Sequence, residues 1–405
     1  RYVMHYFEFG KRDATIYSGG TTSSINTGFD EILEINKVVA DNGTVQNVSR
    51  ILIDFDYTFI SEQIEQGTIP SLSETSSVKF HLNLYDATSE EVEAEQSVFV
   101  YMVSGSWKQG TGKLDHDPVT EDGVSYQYRD QEAKTPWVTG SILTDGGAWY
   151  TSSAASFEVS TSYDLTFDKK DIRADVTNLV YNHILSSSDF PNNGFIVKRE
   201  SISHPAGLSG SMPGRTFAFN SGSDTTKDEA STSRLGNLKY FSRETHTIYP
   251  PKLEVVWDDS SWNTGSASSP LTKLSSTDLE RLKVYFKNLR PEYKEGSKVK
   301  LRVAGRELYP TTSFGTTPAE LDIKVLPSAS SFYEVKDADT EEVIIPYGSG
   351  SKISCDSTGN YFNLFMDGLQ AERNYRFCVK VVSGSGTTDE QINFYDDNYE
   401  FRVVR

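Results

Sequence analysis

The chain has 405 residues and a formal net charge of −18 at pH 7, from 57 acidic and 39 basic residues. This negative balance argues against nucleic acid as a partner, because contacts to phosphates depend on clustered Lys and Arg. No stretch approaches the roughly 18 consecutive apolar residues that cross a bilayer, so no membrane span is predicted.

The residue usage is typical of strands joined by turns. Tyr and Phe number 22 each, against four Met and two Cys, and Ser, Thr and Gly fill the gaps between apolar runs. Cys355 and Cys378 could bridge two strands of one sandwich, but the length of the chain favours two buried thiols over a disulfide scaffold. Residues 1–8 lack the pattern of a secretory leader, so no targeting signal is predicted.

Short runs in which apolar residues recur at every second position predict strands. In the first part of the chain these runs are 51–55, 78–84, 97–103, 194–197 and 252–257. Residues 108–156 are polar and broken by Gly and Pro, which predicts a loop-rich insertion over one edge of a sheet. Residues 171–184 carry one apolar stripe at helical spacing, which predicts a helix. A long exposed loop is predicted for residues 203–236.

A change of composition divides the chain into two domains. Residues 258–275 are rich in Ser, Gly, Thr and Asp and predict a linker, which leaves a first domain at 1–257 and a second at 276–405. Alternation returns in the second domain at 282–286, 299–303 and 375–381, which predicts a smaller sandwich. The extended segment 1–10 is expected to pair with another chain and favour homo-oligomers.

The first domain resembles the DNRLRE domain, named from disaggregatase-related proteins, over roughly residues 10–257. The resemblance lies in Trp107 and in segments that follow the family's order: 11–17, 26–28, 49–56, 174–180, 194–197, 240–244 and 250–255. It implies a jelly-roll-like β-sandwich of the kind found in secreted surface proteins, polysaccharide-binding modules and bacteriophage structural proteins. The insertion at 108–156 departs from the compact family pattern.

The second domain resembles fibronectin type III and immunoglobulin-like sandwiches near its end. In the segment 368–377, Leu369 precedes Tyr375 by six positions, as in the turn before a late strand of such domains. The resemblance implies that Tyr375 closes this turn by hydrogen bonding to the backbone. The fold class expected from both resemblances is all-β: a jelly-roll-like sandwich followed by a smaller immunoglobulin-like sandwich.

The sequence predicts no enzyme and no cofactor. The six histidines are scattered, without the His-Glu-x-x-His spacing that binds zinc, and no Gly-x-Ser-x-Gly elbow presents a nucleophile. Paired carboxylates that hydrolyse a glycan cannot be singled out among 57 acidic residues. The densest group of calcium-type ligands consists of Asp115, Asp117, Glu121 and Asp122, which a solvated acidic loop also explains.

Aromatic residues concentrate in and beside the insertion: Trp107, Tyr126, Tyr128, Trp137, Trp149 and Tyr150. Rings in loops can stack on sugars or anchor a protein partner. The alternative is a small satellite core beneath the loop.

The function expected from these observations is that of a non-catalytic structural component of a bacteriophage virion, in the neck, baseplate or tail-fibre region. Its expected partners are other virion proteins, copies of itself and a host surface glycan. The alternative is a carbohydrate-binding or adhesive module of a bacterial surface protein, located outside the cell, in which Trp137 and Trp149 stack on sugar rings. An enzyme that acts on polysaccharide is a third possibility.

Overall fold

A computed structural model describes most of the chain and shows an all-β protein, as predicted. It describes residues 4–405 except 44, 74–75, 91–94, 140–141, 151–158, 167–169, 200–228, 230–234, 259, 264–278, 311–314, 316–322 and 385–387. These described residues form 23 strands and two α-helices. None of the described helices has the length and apolar character that a membrane crossing requires.

The chain divides into two compact units. The C-terminal unit comprises Arg1–Phe7, Ile64–Val78 and Val255–Arg405, and the N-terminal unit comprises Glu8–Gln63 and Lys79–Glu254. The C-terminal unit is therefore assembled from three separate segments of sequence.

The N-terminal part of the chain carries fourteen strands and both helices. In chain order these are β1 (Met4–Phe9), β2 (Arg12–Tyr17), β3 (Ile32–Val39), β4 (Val45–Asp54), α1 (Thr58–Glu65), β5 (Lys79–Leu84), β6 (Glu95–Met102), β7 (Tyr128–Asp130), β8 (Thr135–Thr139), β9 (Ile142–Thr144), β10 (Ser160–Thr166), β11 (Ile172–Asp175), α2 (Thr177–Leu185), β12 (Phe195–Arg199), β13 (Leu235–Phe241) and β14 (Lys252–Trp257). They form a sheet of order β1-β14-β5-β11, a sheet of order β10-β6-β12-β4-β3-β13 in which β2 also pairs with β4, and a small sheet of order β7-β8-β9.

The remaining nine strands form two sheets around one core. They are β15 (Leu282–Phe286), β16 (Glu292–Lys294), β17 (Lys298–Glu307), β18 (Ser331–Asp337), β19 (Val343–Ile345), β20 (Ser354–Asp356), β21 (Gly359–Phe365), β22 (Arg373–Ser383) and β23 (Gln391–Val404). The sheet orders are β15-β17-β21-β20 and β16-β23-β22-β18-β19. Their inner faces share a single apolar cluster, in which Tyr333 stacks on Phe362 with ring centroids 4.0 Å apart. This arrangement is a β-sandwich.

The turn before β22 has the predicted hydrogen bond. The hydroxyl of Tyr375 donates to the backbone carbonyl of Gln370 at 3.0 Å, which confirms the structural role expected for this residue. Cys355 and Cys378 are both buried with free thiols, as the sequence favours.

The predicted helix at 171–184 is right only in its second half. Its first residues form β11, which pairs with β5 and alternates buried and exposed side chains. The helix α2 starts at Thr177, where the carboxylate of Asp175 accepts a hydrogen bond from the Thr177 backbone N–H at 3.0 Å. An Asp side chain that bonds the backbone N–H two residues later forms an Asx turn, and this turn separates the strand from the helix.

Within the segment 1–10, which was expected to pair with another chain, residues 5–7 are part of a core. His5, Tyr6 and Phe7 are buried, and Phe7 belongs to the apolar cluster of the C-terminal unit. The Tyr6 ring meets Phe365 edge-on at 5.9 Å. Gly368 provides the space, because a Cβ there would lie 2.7 Å from a ring carbon of Phe7.

Two sequence predictions fall largely outside the described residues. The long loop at 203–236 is one, of which Glu229 and the first residues of β13 are described. The linker at 258–275 is the other. Of its described residues, Asp258 forms an ion pair with Lys352, whose Nζ lies 2.6 Å from the Asp258 carboxylate. Trp262 forms a β-bridge with Cys355.

Candidate functional site

The small sheet β7-β8-β9 organises the insertion and gives it two different faces. Trp137 pairs with Thr144 and Val138 with Leu143. Paired residues share a face and successive residues alternate between faces. One face therefore carries Trp137 and Thr144, both buried. The opposite face carries Tyr128, Pro136, Val138 and Leu143, since Tyr128 pairs with Pro136.

The three tryptophans in and beside the insertion are buried together. Trp107, Trp137 and Trp149 form one apolar cluster with residues of β2, β4 and β12. The indole N–H of Trp107 donates to the carbonyl of Asn193 at 2.9 Å, and that of Trp137 donates to the carbonyl of Ser125 at 3.1 Å. Rings held in this way offer no open face to a sugar in this conformation. Their positions are those of the satellite core that the sequence left as an alternative.

The three tyrosine candidates are half-buried and lie in different surroundings. The Arg50 guanidinium lies 5.5 Å from the ring centroid of Tyr126. Burial raises the pKa of Tyr126. The Tyr150 hydroxyl donates to the carbonyl of Asp189 at 3.2 Å. Tyr128 lies under the Lys134 ammonium at 5.5 Å. Of the six predicted aromatic residues, Tyr128 is the one on the outward face of the small sheet.

That outward face is apolar, and we call the set Tyr128, Pro136, Val138 and Leu143 the insertion face. Val138 is 39% exposed and Leu143 is 71% exposed. Strands with one wet face normally turn polar side chains to the water, so an apolar outward face is unusual. In the described part of the chain β9 pairs with β8 alone, which leaves its outer edge open. An apolar face beside a strand edge that has no described partner is suited to binding another protein.

The four predicted calcium ligands lie in different surroundings. Glu121 pairs with the ammonium of Lys134 at 3.2 Å. Asp122 accepts hydrogen bonds from the backbone N–H and hydroxyl of Thr111, at 2.9 and 2.6 Å. Asp115 and Asp117 are exposed. Among the described residues, no three His, Cys, Asp or Glu side chains come together as a metal site.

A buried ion pair that the sequence did not predict lies behind the insertion. The guanidinium of Arg50 donates two hydrogen bonds to the carboxylate of Glu229, at 3.2 and 2.7 Å, and the Lys198 ammonium lies 3.6 Å from that carboxylate. Burial by itself would raise the pKa of Glu229, but the charges of Arg50 and Lys198 outweigh it and lower that pKa. Arg50 also donates to the carbonyl of Gly146, so the pair ties the insertion to β4.

Comparisons with known proteins do not assign this chain to a family. No family model matches the chain, and no curated protein matches it. A solved structure of a DUF4785 family protein from Legionella pneumophila is similar at 8% identity and a TM-score of 0.19, covering 96% of this chain and 68% of that one. A TM-score this low carries no argument about fold or function.

Proposed function

We propose that the protein is a non-catalytic structural component of a bacteriophage virion, which acts by protein–protein contact through the insertion face. The exposure of Val138 and Leu143 on the small sheet carries this proposal. The virion setting, in the neck, baseplate or tail-fibre region, rests on the resemblance of residues 10–257 to the DNRLRE domain.

The physical case rests on pre-organisation. The buried face of the same sheet is fixed by Trp137, whose indole N–H is hydrogen-bonded, so the insertion face is held in shape before a partner arrives. Burying the apolar surface of Val138 and Leu143 contributes about 25 cal/mol per Å². Among the described residues the outer edge of β9 has no partner strand, so its backbone donors and acceptors can pair with an extended segment of a partner.

Carbohydrate binding by the insertion has weaker support. The two rings proposed to stack on sugars, Trp137 and Trp149, are both buried. Tyr128 alone among the six aromatic residues faces outward from the small sheet, and one half-buried ring supplies little stacking area. The insertion is therefore better suited to a protein partner than to a sugar.

The test compares two exposed leucines of the same unit. Leu143→Ser removes the most exposed apolar side chain of the insertion face, and Leu185→Ser is the control because Leu185, at the end of α2, is 60% exposed. Purified protein is mixed with capsid and tail fractions of its source and sedimented. We expect Leu143→Ser to weaken association at least about tenfold, which corresponds to about 1.4 kcal/mol, and Leu185→Ser to leave it unchanged.

The native mass of each variant, alone in solution, shows whether the same face joins copies of the chain. Equal melting temperatures would show that both variants are folded. Wild-type sedimentation of a folded Leu143→Ser protein would refute a role for the insertion face.

A further inference from the structure

The outer face of the sheet β16-β23-β22-β18-β19 carries a row of aromatic and charged side chains. Inward-pointing residues of these strands form the core of the sandwich, so the alternate residues point outward. Phe332 of β18 pairs with Lys380 of β22, and Lys380 pairs with Phe394 of β23. These three residues therefore lie side by side across three adjacent strands.

The three side chains and a fourth, Tyr347, form one group. The Lys380 ammonium lies 5.9 Å from the ring centroid of Phe332 and 5.7 Å from that of Phe394. The Tyr347 and Phe394 ring centroids are 5.7 Å apart. Phe394 is 59% exposed, while Phe332, Tyr347 and Lys380 are half-buried. We call Phe332, Tyr347, Lys380 and Phe394 the aromatic face.

Contacts within the protein do not explain why Phe394 of the aromatic face is so exposed. A cross-strand pair and an exposed cation–π contact each contribute less than about 1 kcal/mol, and these explain why Lys380 lies between two rings. They leave more than half of Phe394 in water, where an aromatic ring gains nothing from its apolar surface.

Hydrogen-bonding groups lie next to the rings. Asp396 follows Phe394 by two residues on β23, a distance of roughly 7 Å along a strand. Its carboxylate is 3.3 Å from the Nε of Arg376, and it remains about two-fifths exposed. The hydroxyl of Tyr347 is hydrogen-bonded to the buried Glu334. Burial and the Glu334 carboxylate together raise the pKa of Tyr347. This bond fixes the Tyr347 ring.

We infer that the aromatic face binds a saccharide. The C–H faces of a sugar ring pack on Phe394 and Tyr347, its hydroxyls donate to Asp396, and Lys380 donates to hydroxyl oxygens. A protein partner that covered this face with apolar groups would bury the Lys380 charge without hydrogen bonds, which is costly. A hydroxyl-rich ligand replaces the water around that charge with new acceptors.

This inference lies outside the proposed function, because it concerns the C-terminal unit and does not depend on the insertion face. It also differs from the sequence-based alternative, since none of the aromatic residues singled out there belongs to the aromatic face. The saccharide class follows from the mixture of rings, a cation and a carboxylate on one open sheet.

The test is native affinity electrophoresis of the full chain in gels that contain a β-glucan, a galactomannan, a xylan or a bacterial O-polysaccharide. We expect at least one polysaccharide to retard the protein and Phe394→Ala to weaken that association at least tenfold. Phe29→Ala is the matched control, since Phe29 is also an exposed phenylalanine, at 43%. Leu143→Ser should be retarded like the wild type, which separates this test from that of the insertion face.

Several results would overturn the inference. They are retardation by none of the four polysaccharides, retardation that Phe394→Ala leaves unchanged, and a loss of self-association in Phe394→Ala without any retardation. The last result would identify the aromatic face as a contact between copies of the chain.

Discussion

Asp13 shows how the fold changes the chemistry of a single residue. Its side chain lies on β2, almost completely buried, and accepts a hydrogen bond from the backbone N–H of Arg243 at 2.7 Å. Burial raises the pKa of Asp13 to about 7, and the hydrogen bond and charge of Arg243 offset only part of that rise. The carboxyl is therefore protonated in the folded protein at mildly acid pH, where an unfolded chain would ionise it.

This shift predicts a loss of stability as the pH rises from about 4 to about 7. In that window the folded state holds a proton on Asp13 that the unfolded state has released, so the free energy of unfolding falls by about 1.4 kcal/mol per pH unit from this group. Below the window both states are protonated, and above it both are ionised. Asp13→Asn removes the titration and retains an acceptor for the Arg243 N–H.

Urea unfolding of the wild type and of Asp13→Asn across this pH range tests the prediction. The stability of the variant relative to the wild type should increase from pH 4 to pH 7 and then level off. A difference between the two proteins that does not change with pH would contradict a raised pKa for Asp13.

At the scale of an element, β1 contributes to the core of the C-terminal unit through Phe7. Its residues His5–Phe7 are separated from β15 by more than 270 positions in the sequence, yet Phe7 shares a core cluster with Leu282. Gly350 and Gly368 lack the Cβ atoms that would collide with His5 and Phe7. Removal of residues 1–9 is therefore expected to destabilise the fold of this unit. The sequence alone predicted that it would chiefly weaken pairing with another chain.

Phe7→Ala tests the contribution of β1 directly. Truncating a buried phenylalanine leaves a cavity, and such changes cost about 3–5 kcal/mol. We expect a lower urea midpoint and faster amide hydrogen exchange in β17 and β21. Phe29→Ala, at an exposed position, should change both measurements little, and equal behaviour of the two variants would show that Phe7 is not part of the core.

At the scale of the whole molecule, the acidic balance opposes self-association. The net charge of −18 repels copies of the chain, while exposed apolar residues such as Leu143 and Phe394 attract them. Repulsion of this kind disappears where the net charge reaches zero. For this sequence that pH is about 4.8.

We therefore expect the protein to associate as the pH is lowered from 7.5 towards 4.8, with light scattering as the measurement. Leu143→Ser should scatter less than Leu185→Ser at the same pH. Near-UV circular dichroism on the same samples separates association from acid unfolding. Scattering that stays constant down to pH 4.8 would show that charge repulsion does not limit contact between copies.

The sequence by itself determined the fold class and the position of eight of the 23 described strands. The runs 252–257 and 282–286 match β14 and β15 residue for residue, because a period of two in hydrophobicity follows directly from the pleat of a strand. The Tyr375 hydrogen bond was also predictable, since its partner Gln370 is only five residues away. Such local signals depend on neighbours in the sequence and survive without knowledge of the fold.

Tertiary structure decided which aromatic residues are open to a partner. Phe394 and Tyr395 are adjacent in sequence, yet the first is 59% exposed and the second is buried; the alternation along β23 predicts opposite faces without saying which one meets the core. The burial of Trp107, Trp137 and Trp149 depends on β2, β4 and β12, and the Arg50–Glu229 pair joins residues 179 positions apart. Contacts over such separations arise only when the sheets assemble. The insertion face and the aromatic face are therefore determined by the tertiary structure and not by the local sequence.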